Sequence, residues 1–276
     1  MPRNLFRILA AAALTFLPAL AQTSQPAEAK TVAVNGIDMY YEAYGTGDPL
    51  VLLHGFSNSG QTWKAVLDDF SRHYRVVLVD MRGHGRSTNP SGVFTHKQSA
   101  ADVFALLDAI GVKRFRAMGI SSGGMTLLHM ATTQRDRPEA MVLIGATTYF
   151  PAQAREIMNR NKPEGLREQD LARQRQIHKH GDEQIYMLRR QFHGFKDSYD
   201  DMTFRTPQLA TIQARTLIVH GDRDEFFPVS IPVEMYESIP NAALWIVPSG
   251  GHVPIQGERR PEFVRIALKF LSDSPK

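Results

Sequence analysis

The stretch FRAMGISSGGMTLLHM, residues 115 to 130, places a G-x-S-x-G motif between two apolar runs. The run before the motif has the length and composition of a buried strand, and the run after it indicates a helix. At such a strand-to-helix turn, the serine Oγ is lifted clear of the sheet, and glycines on both sides allow a sharp turn with close helix packing. We therefore predict that Ser121 is a nucleophile, in preference to a serine that only caps the helix.

A serine hydroxyl is a weak nucleophile until a neighbouring base takes its proton. In this arrangement the order along the chain is serine, acid, histidine, and His252 is the one histidine that follows the candidate acids. Asp222 and Asp224 both come after the apolar run TLIVHG. We predict that Asp224 orients the imidazole and that Asp222 forms the turn. Three other histidines in strand-end turns precede the acid and are predicted to be structural: His54, His84 and His220.

Acyl transfer also needs donors for the oxyanion of the tetrahedral intermediate. The triplet HGF, residues 54 to 56, follows an apolar run, and its glycine allows the chain to turn so that the next N–H points inward. The residue after the nucleophile supplies the second donor in this kind of turn. The predicted anion site is therefore the backbone N–H of Phe56 and that of Ser122.

The rest of the chain alternates short apolar runs with helical patterns, which predicts an α/β fold with a mostly parallel central sheet flanked by helices. An antiparallel hairpin is predicted at its start, around Asn35-Gly36. The predicted parallel strands are the runs at 50–55, 74–80, 115–121, 140–145, 216–221 and 243–248. Amphipathic helices are predicted in SAADVFALLDAIG and RRPEFVRIALKFL.

Residues 150–213 interrupt this alternation, because they have helical pattern without a convincing strand and far exceed an ordinary loop. We predict a helical cap insertion there, inside an α/β core made of 31–149 and 214–276. An insertion that leaves the carboxyl end of the sheet lies over that end, where ligands bind. Its aromatic residues are predicted either to line a substrate pocket or to form the small core of the cap. The predicted pocket residues are Phe56, Tyr149, Phe192, Phe195, Phe226 and Phe227.

The first residues of the chain predict a secretory signal peptide at 1–21, with Arg3 and Arg7 before an apolar stretch that ends in Ala19-Leu20-Ala21. An uncleaved anchor is the alternative, but the apolar stretch contains a proline and is shorter than a membrane-spanning helix requires. A polar tether is predicted at 22–30. A secreted or periplasmic location follows, with no stable membrane insertion after cleavage.

Composition excludes several functions. The chain has no cysteine, which rules out disulfides, thiolate catalysis and cysteine-ligated zinc. Its net charge is +4, and two of those charges belong to the predicted signal peptide. Such a small excess, without a basic stripe, argues against nucleic-acid binding. We predict no metal and no organic cofactor, and the sequence does not indicate an oligomeric state.

Taken in order, five motifs resemble the α/β-hydrolase fold family, and the resemblance extends from about residue 33 to 272. The motifs are LVLLHGFSNSGQTW, VVLVDMRGHGRS, AMGISSGGM, LIVHGDRDEFFPV and VPSGGHVPI. The resemblance implies a triad of Ser121, Asp224 and His252, and a serine nucleophile argues against the dehalogenase and epoxide hydrolase branches, which use aspartate. One departure is Ile120, where the family usually has a histidine.

Our interpretation is a secreted serine hydrolase that cleaves small or medium carboxylic esters, with a small-molecule substrate. The same triad also suits a lactonase, a hydrolase of C–C bonds or a prolyl aminopeptidase. A non-catalytic binding protein on the same scaffold is a further alternative.

Overall fold

The computed structural model describes residues 25–273. The predicted signal peptide, 1–21, and the first part of the predicted tether lie outside the described residues. The first strand begins at Glu28, within the predicted tether, because the backbone there pairs with a second strand and Glu28 forms an ion pair with Arg75. Within residues 25–273, no helix has the length and apolarity to cross a membrane.

Eight strands form one sheet in the order β1-β2-β4-β3-β5-β6-β7-β8. β1 and β2 form the antiparallel hairpin predicted at Asn35-Gly36, where both turn residues have positive φ. β2 pairs antiparallel with β4, and the remaining pairs are parallel. The strands are β1 Glu28–Val34, β2 Ile37–Tyr44, β3 Pro49–Leu53, β4 Arg75–Val79, β5 Phe115–Ile120, β6 Pro138–Ile144, β7 Arg215–Gly221 and β8 Ala242–Val247.

The central strands are apolar at consecutive positions because helices cover both faces of the sheet. In β3, Val51 and Leu53 point into one hydrophobic core, whereas Leu50 and Leu52 point into the core on the other face. The helices are α1 Leu67–Ser71, α2 His96–Ala109, α3 Ser122–Thr133, α4 Ala152–Arg160, α5 Glu168–Ile177, α6 Asp182–Gly194, α7 Thr206–Leu209, α8 Ser230–Ser238 and α9 Arg260–Ser272. The prediction of a mostly parallel α/β fold is confirmed.

Helices α4 to α7 lie between β6 and β7, in the segment predicted to be a helical insertion. This segment, 150–213, is called the cap below. The cap docks on the turn that follows β4 through a set of hydrogen bonds. The Gly85 N–H donates to His178 Nδ1 at 2.9 Å, and Gln184 Nε2 donates to the Gly83 carbonyl at 3.0 Å. The Lys179 N–H donates to the Gly85 carbonyl at 2.9 Å. These bonds hold the cap over the carboxyl end of the sheet.

Candidate active site

Ser121 lies at the turn between β5 and α3, with φ 50° and ψ −115°. A non-glycine residue adopts this conformation only where the surrounding structure imposes it. The flanking glycines make the turn possible, because a Cβ on Gly119 would lie 2.5 Å from the backbone of Gly123, and a Cβ on Gly123 would lie 2.3 Å from the Leu53 carbonyl oxygen. The turn therefore has the geometry of a nucleophile elbow.

The three side chains predicted to act together form one chain of hydrogen bonds. The distance from Ser121 Oγ to His252 Nε2 is 3.0 Å, and that from His252 Nδ1 to Asp224 Oδ2 is 2.9 Å. The Asp224 side chain is fully buried, and its Oδ1 also accepts the N–H groups of Phe226 at 2.7 Å and Phe227 at 3.2 Å. These bonds fix the carboxylate so that it accepts the Nδ1–H of His252 and leaves Nε2 free to accept the serine proton.

Asp222 has a different position. Its Oδ1 accepts the Gly250 N–H at 3.1 Å, which ties the turn after β7 to the loop that carries His252. That loop passes so close to Gly145 that a Cβ on this glycine would lie 2.3 Å from the His252 carbonyl oxygen. Of the two carboxylates considered from the sequence, only Asp224 contacts the imidazole.

Phe56 and Ser122, whose N–H groups are predicted to be the oxyanion donors, line the same cavity as Ser121. Ser122 is the first residue of α3, so its N–H has no acceptor within the helix. Among the described residues, the Phe56 N–H also has no hydrogen-bond acceptor. Both residues line the cavity above the elbow. Two unpaired backbone donors beside Ser121 match the arrangement that stabilises an oxyanion in acyl transfer.

A cavity of about 510 Å³ opens above Ser121, between the strand-end loops and the cap. Five of the six predicted pocket residues line it: Phe56, Phe192, Phe195, Phe226 and Phe227. Tyr149, the sixth, does not line this cavity. Its backbone bridges to Thr203, and its side chain lines a neighbouring cavity. Successive side chains of an extended segment point in opposite directions, so the next residue, Phe150, faces the cavity instead.

The two cap phenylalanines differ in their surroundings. Phe195 is buried and packs on Phe150 and on the ring of His96, with centroid distances of 5.6 and 5.4 Å. Phe192 is only partly buried and lies between Phe56 and Phe226, at centroid distances of 5.9 and 6.4 Å. Phe195 therefore belongs both to the cap–core junction and to the cavity wall, whereas Phe192 mainly forms the wall.

Sequence reasoning missed two residues beside the elbow. His96 Nε2 lies 3.0 Å from Ser122 Oγ, and His96 Nδ1 lies 2.6 Å from Asp201 Oδ2. His96 follows the N-cap of α2, and Asp201 lies in the cap between α6 and α7. No motif or spacing marks either residue, because the two meet only when the cap is docked.

Buried histidines surround the elbow on the side of β3 and β4. The His54 Nδ1–H donates to the Gly55 carbonyl at 2.7 Å, and its Nε2 accepts the Met81 N–H at 3.0 Å. Burial lowers the pKa of His54 to about 4, and it also lowers the pKa of the neighbouring His84 well below its ordinary value. Both rings are therefore neutral and structural at neutral pH. Among residues 25–273, no group of three or more His, Asp or Glu side chains is arranged to hold a metal ion.

Comparison with known proteins agrees with this architecture. The sequence model of the alpha/beta hydrolase fold matches residues 48–180. Over 268 residues, the chain is 27% identical to the 2-hydroxy-6-oxo-2,4-heptadienoate hydrolase of Pseudomonas putida, which covers 88% of this chain and 96% of that one. It is also 26% identical over 254 residues to a non-heme haloperoxidase of Rhodococcus erythropolis, which covers 80% of this chain and 91% of that protein.

Solved structures show the same fold. Est816, described as an N-acyl homoserine lactone degrading enzyme, superposes with a TM-score of 0.68 at 28% identity, covering 87% of this chain and 99% of that one. The enol-lactonase of Burkholderia xenovorans superposes with a TM-score of 0.71 at 23% identity, covering 88% and 100%. The parallel sheet, the elbow after β5 and these matches show the α/β-hydrolase fold. The chain belongs to the α/β-hydrolase fold family, and the relatives named here are described as hydrolases and a haloperoxidase.

Proposed function

We propose that this protein is a serine hydrolase that cleaves small or medium carboxylic esters through an acyl-enzyme intermediate. The observation that carries the proposal is the chain from Ser121 through His252 to Asp224, with links of 3.0 and 2.9 Å, at the floor of a cavity. A serine, an imidazole base and a buried carboxylate in this order are the groups that acyl transfer requires.

In the proposed reaction, His252 Nε2 takes the Ser121 proton as Oγ attacks the ester carbonyl carbon. The carbonyl oxygen becomes an oxyanion and accepts hydrogen bonds from the N–H groups of Phe56 and Ser122. The imidazolium, stabilised by Asp224, then gives its proton to the leaving alkoxide as the ester C–O bond breaks, which yields the alcohol and an acyl-serine. Water, deprotonated by His252, attacks the acyl carbonyl and releases the carboxylic acid, and Ser121 regains its proton.

The cavity favours a largely apolar acyl group, because six of the described residues that line it are phenylalanines. Arg189 and several uncharged polar residues line it as well, and a volume of about 510 Å³ falls within the range of small-molecule sites. None of the described residues that line the cavity is an aspartate or glutamate. A prolyl peptide carries a free ammonium group, whose burial without a counter-charge is costly. The cavity therefore favours an ester over the prolyl amide considered from the sequence.

A lactone is the second candidate substrate, because it is a cyclic ester that the same steps would open. The similarity to Est816, at 28% identity over nearly the whole of that chain, favours it. A C–C bond of a diketone is a third candidate, favoured by the similarity to the heptadienoate hydrolase.

We also propose that the protein acts outside the cytoplasm, either secreted or periplasmic. The support is the basic, apolar and small-residue succession in residues 1–21. The intact mass of the protein recovered from periplasm and medium tests this directly, because cleavage after Ala21 removes that segment and an uncleaved chain retains it.

The substrate proposal is tested with chromogenic esters of increasing acyl length, assayed beside lactones, vinylogous diketones and prolyl amides. Wild-type protein is expected to hydrolyse the esters with the highest kcat/KM. Ser121→Ala is the control, and it is expected to lower kcat by several orders of magnitude with unchanged far-UV circular dichroism. A higher kcat/KM for a lactone or a diketone would replace the ester assignment, and undiminished activity of Ser121→Ala would refute the serine mechanism.

A further inference from the structure

A second Ser–His–Asp chain lies beside the proposed catalytic one and has no part in the mechanism above. It runs from Ser122 Oγ to His96 Nε2 at 3.0 Å and from His96 Nδ1 to Asp201 Oδ2 at 2.6 Å. All three residues are buried, and His96 has no exposed surface. Ser122 is also the residue whose backbone N–H is proposed to bind the oxyanion. The second chain therefore ends on the anion site itself.

The direction of these hydrogen bonds follows from the ionisation state of the Asp201 carboxyl group. Burial alone would raise the pKa of this carboxyl, but hydrogen bonds from the His96 side chain and from the N–H groups of His96 and Lys97 hold the pKa below its ordinary value. An ionised carboxylate only accepts, so His96 Nδ1–H donates to it. In the neutral imidazole this leaves Nε2 as an acceptor, and Ser122 Oγ–H donates to it. The hydroxyl that neighbours the nucleophile is thereby kept away from His252.

Asp201 also connects the cap to the two helices at the elbow. Its carboxylate accepts the N–H groups of His96 at 2.8 Å and Lys97 at 3.1 Å, at the start of α2. Its backbone carbonyl accepts a hydrogen bond from His129 Nε2, on α3, at 2.7 Å. The loop of the cap that carries Asp201 is thus connected to α3 at two points. His96 connects it to Ser122, the first residue of α3, and His129 connects it two turns later.

We propose that His96 and Asp201 are positioning residues for the oxyanion site. They hold the Ser122 hydroxyl, and with it the adjoining Ser122 N–H, in the orientation that stabilises the oxyanion. Because Asp201 belongs to the cap, this orientation requires the docked cap, and the anion site is complete only when the cavity is covered. This inference rests on the proposed serine mechanism, in which the Ser122 N–H is a donor.

Matched substitutions distinguish an effect on the orientation of Ser122 from an effect on the stability of the protein. Asp201→Asn replaces a carboxylate that accepts the His96 Nδ1–H with an amide that donates to Nδ1. The imidazole proton then lies on Nε2, and the Ser122 hydroxyl loses its acceptor. His129→Leu is the control, because it removes the hydrogen bond that His129 donates to the Asp201 backbone carbonyl and leaves Ser122 unchanged. At His96, glutamine offers one donor and one acceptor, as the neutral imidazole does, whereas leucine offers neither.

The test is a double-mutant cycle on kcat with an ester that the wild-type protein hydrolyses, and melting temperatures are recorded for every variant. Ser122→Ala and Asp201→Asn are each expected to lower kcat about tenfold with KM within about twofold, because misalignment of one oxyanion donor costs less than its removal. The double variant is expected to lose no more than the larger single loss. His96→Gln is expected to retain more kcat than His96→Leu, and His129→Leu is expected to lower the melting temperature without lowering kcat.

Additive losses, about a hundredfold in the double variant, would overturn the inference, as would a kcat of Asp201→Asn equal to that of His129→Leu. His96→Leu replaces Asp201→Asn in the cycle if the aspartate variant does not fold, because it breaks the same chain at its middle. Ser121→Ala in the same assay separates the two proposals. If that variant is inactive and the cycle is additive, only the positioning role fails, whereas an active Ser121→Ala removes the mechanism on which it rests.

Discussion

At the scale of single residues, two adjacent serines differ in their hydrogen bonds because the backbone changes direction between them. Ser121 has φ 50°, outside the helix, and its Oγ lies 3.0 Å from His252 Nε2. Ser122 begins α3, and its Oγ lies at the same distance from His96 Nε2. A hydroxyl at either position therefore has its own imidazole, and we propose that only the first of them attacks substrate.

The two aspartates after β7, Asp222 and Asp224, are expected to differ in their effect on kcat. Asp224→Asn is expected to lower kcat about 10⁴-fold, because an amide stabilises the imidazole tautomer that cannot accept the serine proton. Asp222→Asn, the matched control, retains an oxygen that accepts the Gly250 N–H and is expected to keep kcat within about threefold. Steady-state kinetics of both variants measure the difference. Small, equal losses would place the acid elsewhere.

The sequence could predict the contact of Ser121, Asp224 and His252 because each follows a strand, and parallel strands bring their carboxyl ends to one edge. It could not predict His96 and Asp201, which are 105 positions apart and meet through the docking of a cap without strand signals. It named Tyr149 as a pocket residue and did not name Phe150, which lines the cavity, because pattern alone does not fix the direction of a side chain in an irregular segment.

At the scale of secondary-structure elements, the cap completes the cavity above the elbow. Helix α6 contributes Phe192, and the turn after it contributes Phe195. Phe56, from the loop after β3, contacts both rings at centroid distances of 5.9 and 5.0 Å. The loop after β3 and the cap are therefore packed directly against each other, and substitutions in the cap affect both the size of the cavity and the stability of the protein.

The different burial of these two rings predicts different consequences. Phe192→Ala enlarges a partly exposed wall, and it is expected to change the ranking of esters by acyl length by roughly ten- to two-hundred-fold, with little loss of stability. Phe195→Ala empties a buried site, and it is expected to cost about 3–5 kcal/mol in the free energy of unfolding. Ester panels and urea unfolding on both variants check this pair. A uniform loss across all esters for Phe192→Ala, with a lower melting temperature, would assign this ring to the core of the cap.

In the molecule as a whole, the buried histidines in or near the junction of core and cap include His54, His84 and His178. Burial lowers the pKa of His54 and that of His178 to about 4, from an ordinary value of 6.5, and it lowers the pKa of His84 well below that ordinary value. Protonation is opposed by geometry as well, because His54 Nε2 accepts the Met81 N–H and His178 Nδ1 accepts the Gly85 N–H. Both nitrogens must stay unprotonated for the docked structure to keep these bonds.

The difference in proton binding between the folded and unfolded chains determines how the free energy of unfolding changes with pH. Between pH 6.5 and about 4, the unfolded chain binds more protons than the folded chain, so the stability that is complete above pH 6.5 is lost as the pH falls through this range. Each such histidine contributes a slope of up to about 1.4 kcal/mol per pH unit. His178→Gln, whose amide oxygen also accepts the Gly85 N–H, is expected to make the slope shallower. Urea unfolding at pH 7.5 to 4.5, in steps of about half a unit, measures it, and an unchanged slope in His178→Gln would exclude this residue as a source.

The overall architecture was predictable to a large extent because the alternation of buried strands and amphipathic helices is local in the sequence. The start of β1 was not predictable in this way, because Glu28 joins the sheet through pairing with β2 and through an ion pair with Arg75, 47 positions away. The two hydrogen-bond chains at the elbow differ in predictability for the same reason. The chain of Ser121, His252 and Asp224 is built from strand ends, whereas the chain of Ser122, His96 and Asp201 depends on how the whole cap docks.

Labelling with a serine-directed alkyl phosphonate tests whether Ser121 is the nucleophile. Tryptic mass spectrometry locates the modified residue, and Ser121→Ala and Ser122→Ala serve as paired controls. We expect one phosphonyl group on Ser121, retained in Ser122→Ala and absent from Ser121→Ala, together with loss of esterase activity in proportion to labelling. A phosphonyl group on Ser122, or full activity after stoichiometric labelling of Ser121, would contradict this role of Ser121.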